Sequence, residues 1–225
     1  MSKEVRIPFT RKYIGRFLFL LICLVSLFVL RPFLEGSIGV RLLMDIFITF
    51  LLISGACAIS QKRTTFIVGL ILAIPALLIQ WASHMLPFSF LEVLAGLFSA
   101  LFLAYVAVVI LNYLFREKKV APDVIYGAIC VYLLIGLVWA TGYSFLEIYD
   151  PGAFELGKIP VADPSRFVYY SYVTMTTLGY GDITPLSSPA QFLSVLEAIT
   201  GQLYLAVIIA RLMGLHISHS LSVPD

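Results

Sequence analysis

Residues 174–185 read TMTTLGYGDITP, and they lie between two long apolar segments. Thr176 and Thr177 bring hydroxyl oxygens, and Gly179 and Gly181 flank Tyr180 with Asp182 directly after. Glycine takes left-handed backbone angles without steric cost, so both positions can turn carbonyl oxygens away from ordinary strand alternation. Oxygen donors on a freed backbone point to the handling of a cation. Covalent catalysis finds no support, because no acidic, histidine or serine cluster with catalytic spacing accompanies the stretch. The chain therefore reads as a non-enzyme, with no cofactor implied.

The elements that must position this stretch are membrane elements. The chain has 225 residues, 60% hydrophobic and 12% charged, with mean hydropathy +0.99. Soluble domains carry about 25% charge. The formal net charge is +2 with no dense basic face, which argues against nucleic acid as a partner. Cys23, Cys57 and Cys130 all lie in apolar runs without regular spacing, so neither a disulfide framework nor a metal site is indicated.

Six apolar runs follow in order, near 14–30, 40–60, 64–82, 88–115, 124–146 and 190–213. Each is close to or above the roughly 20 residues that cross a bilayer. The first lacks a small-residue cleavage motif, since Arg31, Pro32 and Phe33 follow it, and it reads as a retained helix. Lys3, Arg6, Arg11, Lys12, Arg16, Lys62, Arg63, Arg116, Lys118, Lys119 and Arg211 collect on one side, against Arg31, Arg41, Lys158 and Arg166 on the other. The basic side is expected to be cytoplasmic, with both termini inside and six crossings. The fold class expected is an all-α polytopic membrane protein.

The segment 147–189 faces outward in this topology. Within it, Asp163 and Pro164 are suited to the N-cap and first position of a helix over the aromatic stretch that follows. That helix is too short to span. It enters the membrane and stops, and LGYGD carries the chain back out. Non-helical backbone at membrane depth is tolerated where it is buried in protein or lines a wet cavity, so the loop is expected to line a water path.

TMTTLGYGD resembles the pore-loop signature of potassium channels. It is similar to that of bacterial channels built on a two-helix pore domain with a TLGYGD filter. The resemblance assigns the selectivity filter to Thr177, Leu178, Gly179, Tyr180 and Gly181. It implies potassium bound at Thr177, Leu178, Gly179 and Tyr180 as the permeant ligand. Leu178 stands where valine or isoleucine is commoner, with its side chain expected to pack behind the filter. One strand cannot surround an ion, but four strands about an axis can, and their carbonyls plus the Thr177 hydroxyl make stacked oxygen cages. Four residues at roughly 3 Å each give a filter of about 12 Å, long enough for several ions in line. One loop per chain implies a homotetramer.

The family resemblance also places filter support at Thr176, Asp182, Tyr169, Tyr170, Val173 and Glu197. Tyr169 and Tyr170 occupy positions where many relatives carry tryptophan, and Tyr170 or a neighbouring subunit is expected to partner Tyr180. Val173 stands where some bacterial members have a glutamate, so that carboxylate link is missing. Run six matches the inner helix, and Gly201 falls at the gating hinge. A small residue at a helix contact explains Gly201 equally well. Glu197, an acid within a spanning run, either adds negative potential to the pore or bonds behind the filter near the pore helix. Gln202 and Thr200 are polar at mid-membrane, and Arg211 reads as an interfacial anchor.

These assignments divide the chain into a four-helix unit at 1–119, a pore domain at 120–213 and a short cytoplasmic tail at 214–225. Run four has no basic residue, so it lacks the charges a voltage sensor moves. Asp45 and Glu92 either hold the four-helix unit together, Asp45 with Arg41 and Glu92 with Arg31 or Arg41, or sense a stimulus such as pH or lipid. His216 and His219 read as ordinary tail residues. The expectation is a potassium-selective channel of the bacterial plasma (inner) membrane, surrounded by lipid, passive and without steep voltage gating. The alternatives are a nonselective cation channel or a potassium transporter subunit.

Overall fold

A computed structural model describes residues 15–34, 40–58, 63–85, 89–157 and 166–221. The side chains of Arg31, Arg41, Asp45, His84, Glu92, His216 and His219 lie outside the described residues, as do Asp163 and Pro164 altogether. The readings that rest on them are therefore not addressed by the structure.

The elements are α1 (Arg16–Leu34), α2 (Val40–Ala58), α3 (Arg63–Met85), α4 (Ser89–Arg116), α5 (Pro122–Tyr149), β1 (Phe154–Glu155), α6 (Arg166–Met175), β2 (Thr184–Pro185) and α7 (Ser188–Leu221). Among the described residues, four helices are long and apolar enough to cross a membrane: Arg63–Ser83, Val93–Arg116, Pro122–Tyr149 and Ser188–Leu215. Phe17–Leu30 and Ile48–Ala58 are shorter apolar helices. The architecture is all-α apart from the two-residue strands, as the composition and run lengths imply for a membrane protein. The last helix continues to Leu221, so most of the segment expected as a tail is helical.

Packing follows the helical period. Phe17, Leu20, Leu24 and Leu27 of α1 are buried at steps of three and four, as are Phe102, Val106, Ile110 and Leu114 of α4. These stripes meet Val124, Val131 and Leu134 of α5 in one continuous cluster that joins the first four helices to the C-terminal part of the chain. α6 sits between α5 and α7.

Helix α5 starts at an extended Ala121 with Pro122 at its first position, where the missing N–H costs nothing, and Asp123 in the first turn favours the helix dipole. At the other end the Asp150 amide closes on Leu146 O at 2.8 Å. The Glu147 carboxylate then accepts the amides of Gly152 and Phe154 at 3.1 and 3.3 Å. That turn delivers β1 to β2, with Phe154 opposite Pro185 and Glu155 opposite Thr184. The small antiparallel pair ties the exit of α5 to the segment that follows Asp182. It lies over a second core of Tyr143, Phe154, Phe167, Tyr170, Ile183 and Ala190. In that core Tyr143 packs edge-on against Phe154 and Tyr170 at centroid distances of 5.5 and 5.0 Å. Such aromatic pairs are worth about 0.5–1.5 kcal/mol each beyond burial.

Candidate functional site

Helix α6 ends at Met175, and the next six residues leave it as non-helical backbone. The first amides after the helix are held by its last carbonyls. Thr176 N donates to Tyr172 O at 3.0 Å and Thr177 N to Thr174 O at 2.9 Å. Leu178 N and Gly179 N both donate to Val173 O, at 2.9 and 3.2 Å. Val173 itself is buried. Its carbonyl does what no side-chain argument would have assigned to it, capping the start of the 177–181 segment.

Thr177, Gly179 and Gly181 have φ of 60°, 58° and 76°, while Leu178 and Tyr180 do not have positive φ. Left-handed residues thus alternate with ordinary ones. An alternation of this kind turns every second peptide plane, which lets successive carbonyls share a side. The two glycines were legible as left-handed positions from residue type. Thr177 was not, because a β-branched residue at positive φ is an outlier in sequence terms. It is held there by the helix end before it and by its own hydroxyl, which donates to Thr176 O at 2.6 Å. With its proton directed at a carbonyl, the Thr177 hydroxyl keeps its lone pairs for another partner. The Thr176 hydroxyl turns back to Tyr172 O at 2.5 Å.

The C-terminal end of the segment is anchored by Asp182. Tyr169 donates its phenol to Asp182 Oδ2 at 2.5 Å, and the Ile183 amide donates to Oδ1 at 3.1 Å. The hydrogen bond to Asp182, with smaller contributions from burial and nearby charge, pushes the Tyr169 phenol up to about 12. It therefore remains a donor at physiological pH. Tyr170 pairs with Ser194 Oγ of α7 at 2.6 Å and packs into the second core. It is therefore not the partner expected for Tyr180 within one chain. The Tyr180 ring is 67% exposed and Leu178 is 55% exposed, so a single chain does not supply a pocket behind either side chain.

Two residues of α7 close the site from behind. Glu197 is fully buried, with Oε2 accepting the Tyr143 phenol at 2.5 Å and Oε1 at 2.5 Å from Ser171 Oγ. The acid joins α5, α6 and α7. Tyr143 and Ser171 were missed as its partners. The signal available was hydroxyls within apolar helices, which burial requires to be paired. Gly201 lies against the end of α6. A Cβ there would stand 2.6 Å from Met175 O and 2.5 Å from Met175 Cγ. Close approach thus gives Gly201 a packing reason. Gln202 is exposed, and Thr200 turns its hydroxyl to Leu196 O at 2.7 Å.

Lower on α7, Arg211, expected as an interfacial anchor, has partners in the protein. Its guanidinium donates to Leu114 O at 3.1 Å, Phe115 O at 2.6 Å and Glu117 O at 3.0 Å. The first two are carbonyls of the last turn of α4, which have no intrahelical donors and carry the negative end of the helix dipole, and Glu117 directly follows the helix. Among the described residues no group of three or more His, Cys, Asp or Glu is placed to hold a metal ion.

Residues 128–215 match a family model described as "Ion channel". The matched stretch runs from α5 through α6 and the 177–181 segment into α7, the same elements that build the site. A comparison with curated proteins finds no match. The family match supports an ion channel, and with it transport across a membrane rather than covalent chemistry.

Proposed function

We propose that this chain is one subunit of a homotetrameric potassium channel of the plasma membrane. In this reading residues 177–181 are the selectivity filter. The observation that carries it is the alternation of left-handed residues at Thr177, Gly179 and Gly181, directly after a short helix that ends within the protein. Four such segments about an axis would present rings of carbonyls from Thr177, Leu178, Gly179 and Tyr180, closed below by Thr177 hydroxyls. These rings replace the water around a bare potassium ion. The negative C-terminal ends of four α6 helices would favour a cation beneath them.

Exposure within the protomer supports assembly. Only 17% of the apolar window of α7 is buried, against 50% for α5. Leu178, Tyr180, Phe192, Val195 and Ile199 form a largely uncovered surface beside the filter. Membrane lipid can cover part of it, but lipid offers the filter carbonyls no partner, and copies of the same strand around a shared ion do. Asp182 would sit at the outer mouth with Tyr169 and Thr176 in support, and Gly201 would serve as packing contact, hinge or both. Both termini would be cytoplasmic by the basic-side rule. With no basic residue in α4 before Arg116, conduction would be passive and without steep voltage dependence.

The test is cation flux through purified full-length protein in liposomes, with ion substitution. Potassium flux blocked by barium, with little sodium flux, is expected. Equal sodium and potassium flux would replace this reading with a nonselective cation channel. Saturable flux coupled to a second ion would replace it with a transporter.

A further inference from the structure

Three helices meet at Glu197. α7 supplies the acid, α5 supplies Tyr143 and the carbonyl of Gly136, and α6 supplies Ser171. Ser171 Oγ stands 2.7 Å from Gly136 O and 2.5 Å from Glu197 Oε1. A serine hydroxyl owns one proton and a backbone carbonyl owns none. The Gly136 contact therefore takes the Ser171 proton. The contact with Oε1 then needs a second proton, and Glu197 alone can carry it. Were Glu197 a carboxylate, one of the two contacts would press two bare oxygens together with no hydrogen between them.

Burial leads to the same protonation. Glu197 and Ser171 are both 0% exposed, and neither Tyr143 nor Ser171 carries a charge. Among the described residues, the other ionisable side chains in electrostatic range are the phenols of Tyr132 on α5 and of Tyr170 and Tyr172 on α6. None is a cation, and a carboxylate buried among neutral groups is costly.

We propose that Glu197 is a neutral carboxylic acid that donates to Ser171, which donates in turn to Gly136 O. The result is a directed relay that locks α6 between α5 and α7. Tyr143 donates to the remaining oxygen, so every polar atom of the acid is used. Glu197 is then a positioning residue. It contributes no negative charge to a pore, and it acts on the 177–181 segment through the placement of α6. The proton assignment stands without the channel reading, whereas its effect on flux rests on that reading.

Infrared difference spectroscopy on the purified full chain tests the proton directly. Wild type minus Glu197→Gln is expected to show the carbonyl stretch of a protonated acid, shifted in heavy water. Carboxylate bands alone in that difference overturn the proposal. Glutamine keeps a donor toward Ser171 and an acceptor for Tyr143, so Glu197→Gln is expected to conduct within about twofold of wild type. Glu197→Leu, which leaves Ser171 and Tyr143 without their partner, is expected to lose about tenfold or more. A glutamine variant as impaired as the leucine variant overturns the proposal. So does a glutamine variant that fails to assemble where Ser171→Ala assembles. Ser171→Ala supplies a second spectral readout, because the acid band must move when its acceptor is removed; an unmoved band also overturns it. If wild type itself does not conduct, the channel reading falls and the infrared result still decides where the proton is.

Discussion

Gly201→Ala separates two reasons for the same glycine. An added Cβ would meet Met175 O at 2.6 Å and Met175 Cγ at 2.5 Å. The side-chain carbon can move aside, but the carbonyl is backbone at the last residue of α6, two residues before Thr177. Ordinary contact requires the pair to part by roughly half an ångström or more. A functional constellation tolerates about 0.5 Å of displacement, so the shift reaches the 177–181 segment at the limit of what it can absorb. Overpacking of this kind costs about 1–3 kcal/mol, partly offset by about 1 kcal/mol from replacing glycine with alanine in a helix. Gly214 on the same helix has nothing within 4 Å of its would-be Cβ, so Gly214→Ala is the control that keeps the helix gain without the clash. Thermal unfolding of the purified assembly and potassium against sodium flux in liposomes are the assays. Gly201→Ala is expected to lower the melting temperature and to weaken ion discrimination by about tenfold, whereas Gly214→Ala does neither. A glycine needed only as a hinge predicts the opposite pattern: a stabler helix, fewer openings and intact discrimination. Wild-type melting and discrimination in Gly201→Ala would refute the close-approach argument.

Other perturbations follow from the same geometry. Gly179→Ala meets no atom within 4 Å but must hold φ near 58°, at a cost of about 1–2 kcal/mol per chain; assembly by size-exclusion chromatography is expected to survive while selective flux is lost. Tyr169→Phe removes the donor to Asp182, and amide exchange at Ile183, whose N–H the same carboxylate accepts, is expected to rise; unchanged exchange would mean that Tyr169 does not hold the C-terminal end of the segment. Arg211→Ala leaves the carbonyls of Leu114, Phe115 and Glu117 to water, and is expected to cost about 2 kcal/mol in thermal unfolding, with Arg211→Lys intermediate because an ammonium lacks the planar fork.

Much of the site was legible because its chemistry resides in residue type. Glycine is the residue that reaches positive φ without strain, so Gly179 and Gly181 could be read directly. The short helix before them followed from the aromatic stretch and its length, though its proposed cap at Asp163 and Pro164 lies outside the described residues. The resemblance singled out Gly201 but left its role open between hinge and contact, and the structure shows the contact, at Met175. What the sequence left open are side-chain partners that are remote along the chain. Of the two partners expected for Tyr180, Tyr170 or a neighbouring subunit, Tyr170 pairs within this chain with Ser194 instead, which no local rule singles out. Arg211 reads from the sequence as an interfacial anchor, and the structure adds its partners at the end of α4, 94 to 97 positions earlier in the chain.

What the sequence determined by itself is composition and local conformation: apolar runs long enough for a bilayer, an acid within one of them, and a backbone freed at alternate positions. These depend on solvation and steric limits that each residue carries with it. The tertiary structure decided which groups meet. Glu197 finds Tyr143 and Ser171 at separations of 54 and 26 residues, and Thr177 adopts a left-handed angle against its own preference. Both outcomes depend on contacts that packing creates: α5, α6 and α7 meet at Glu197, and the end of α6 together with the contact of its own hydroxyl holds Thr177. Such a constraint exists only once the chain has closed on itself.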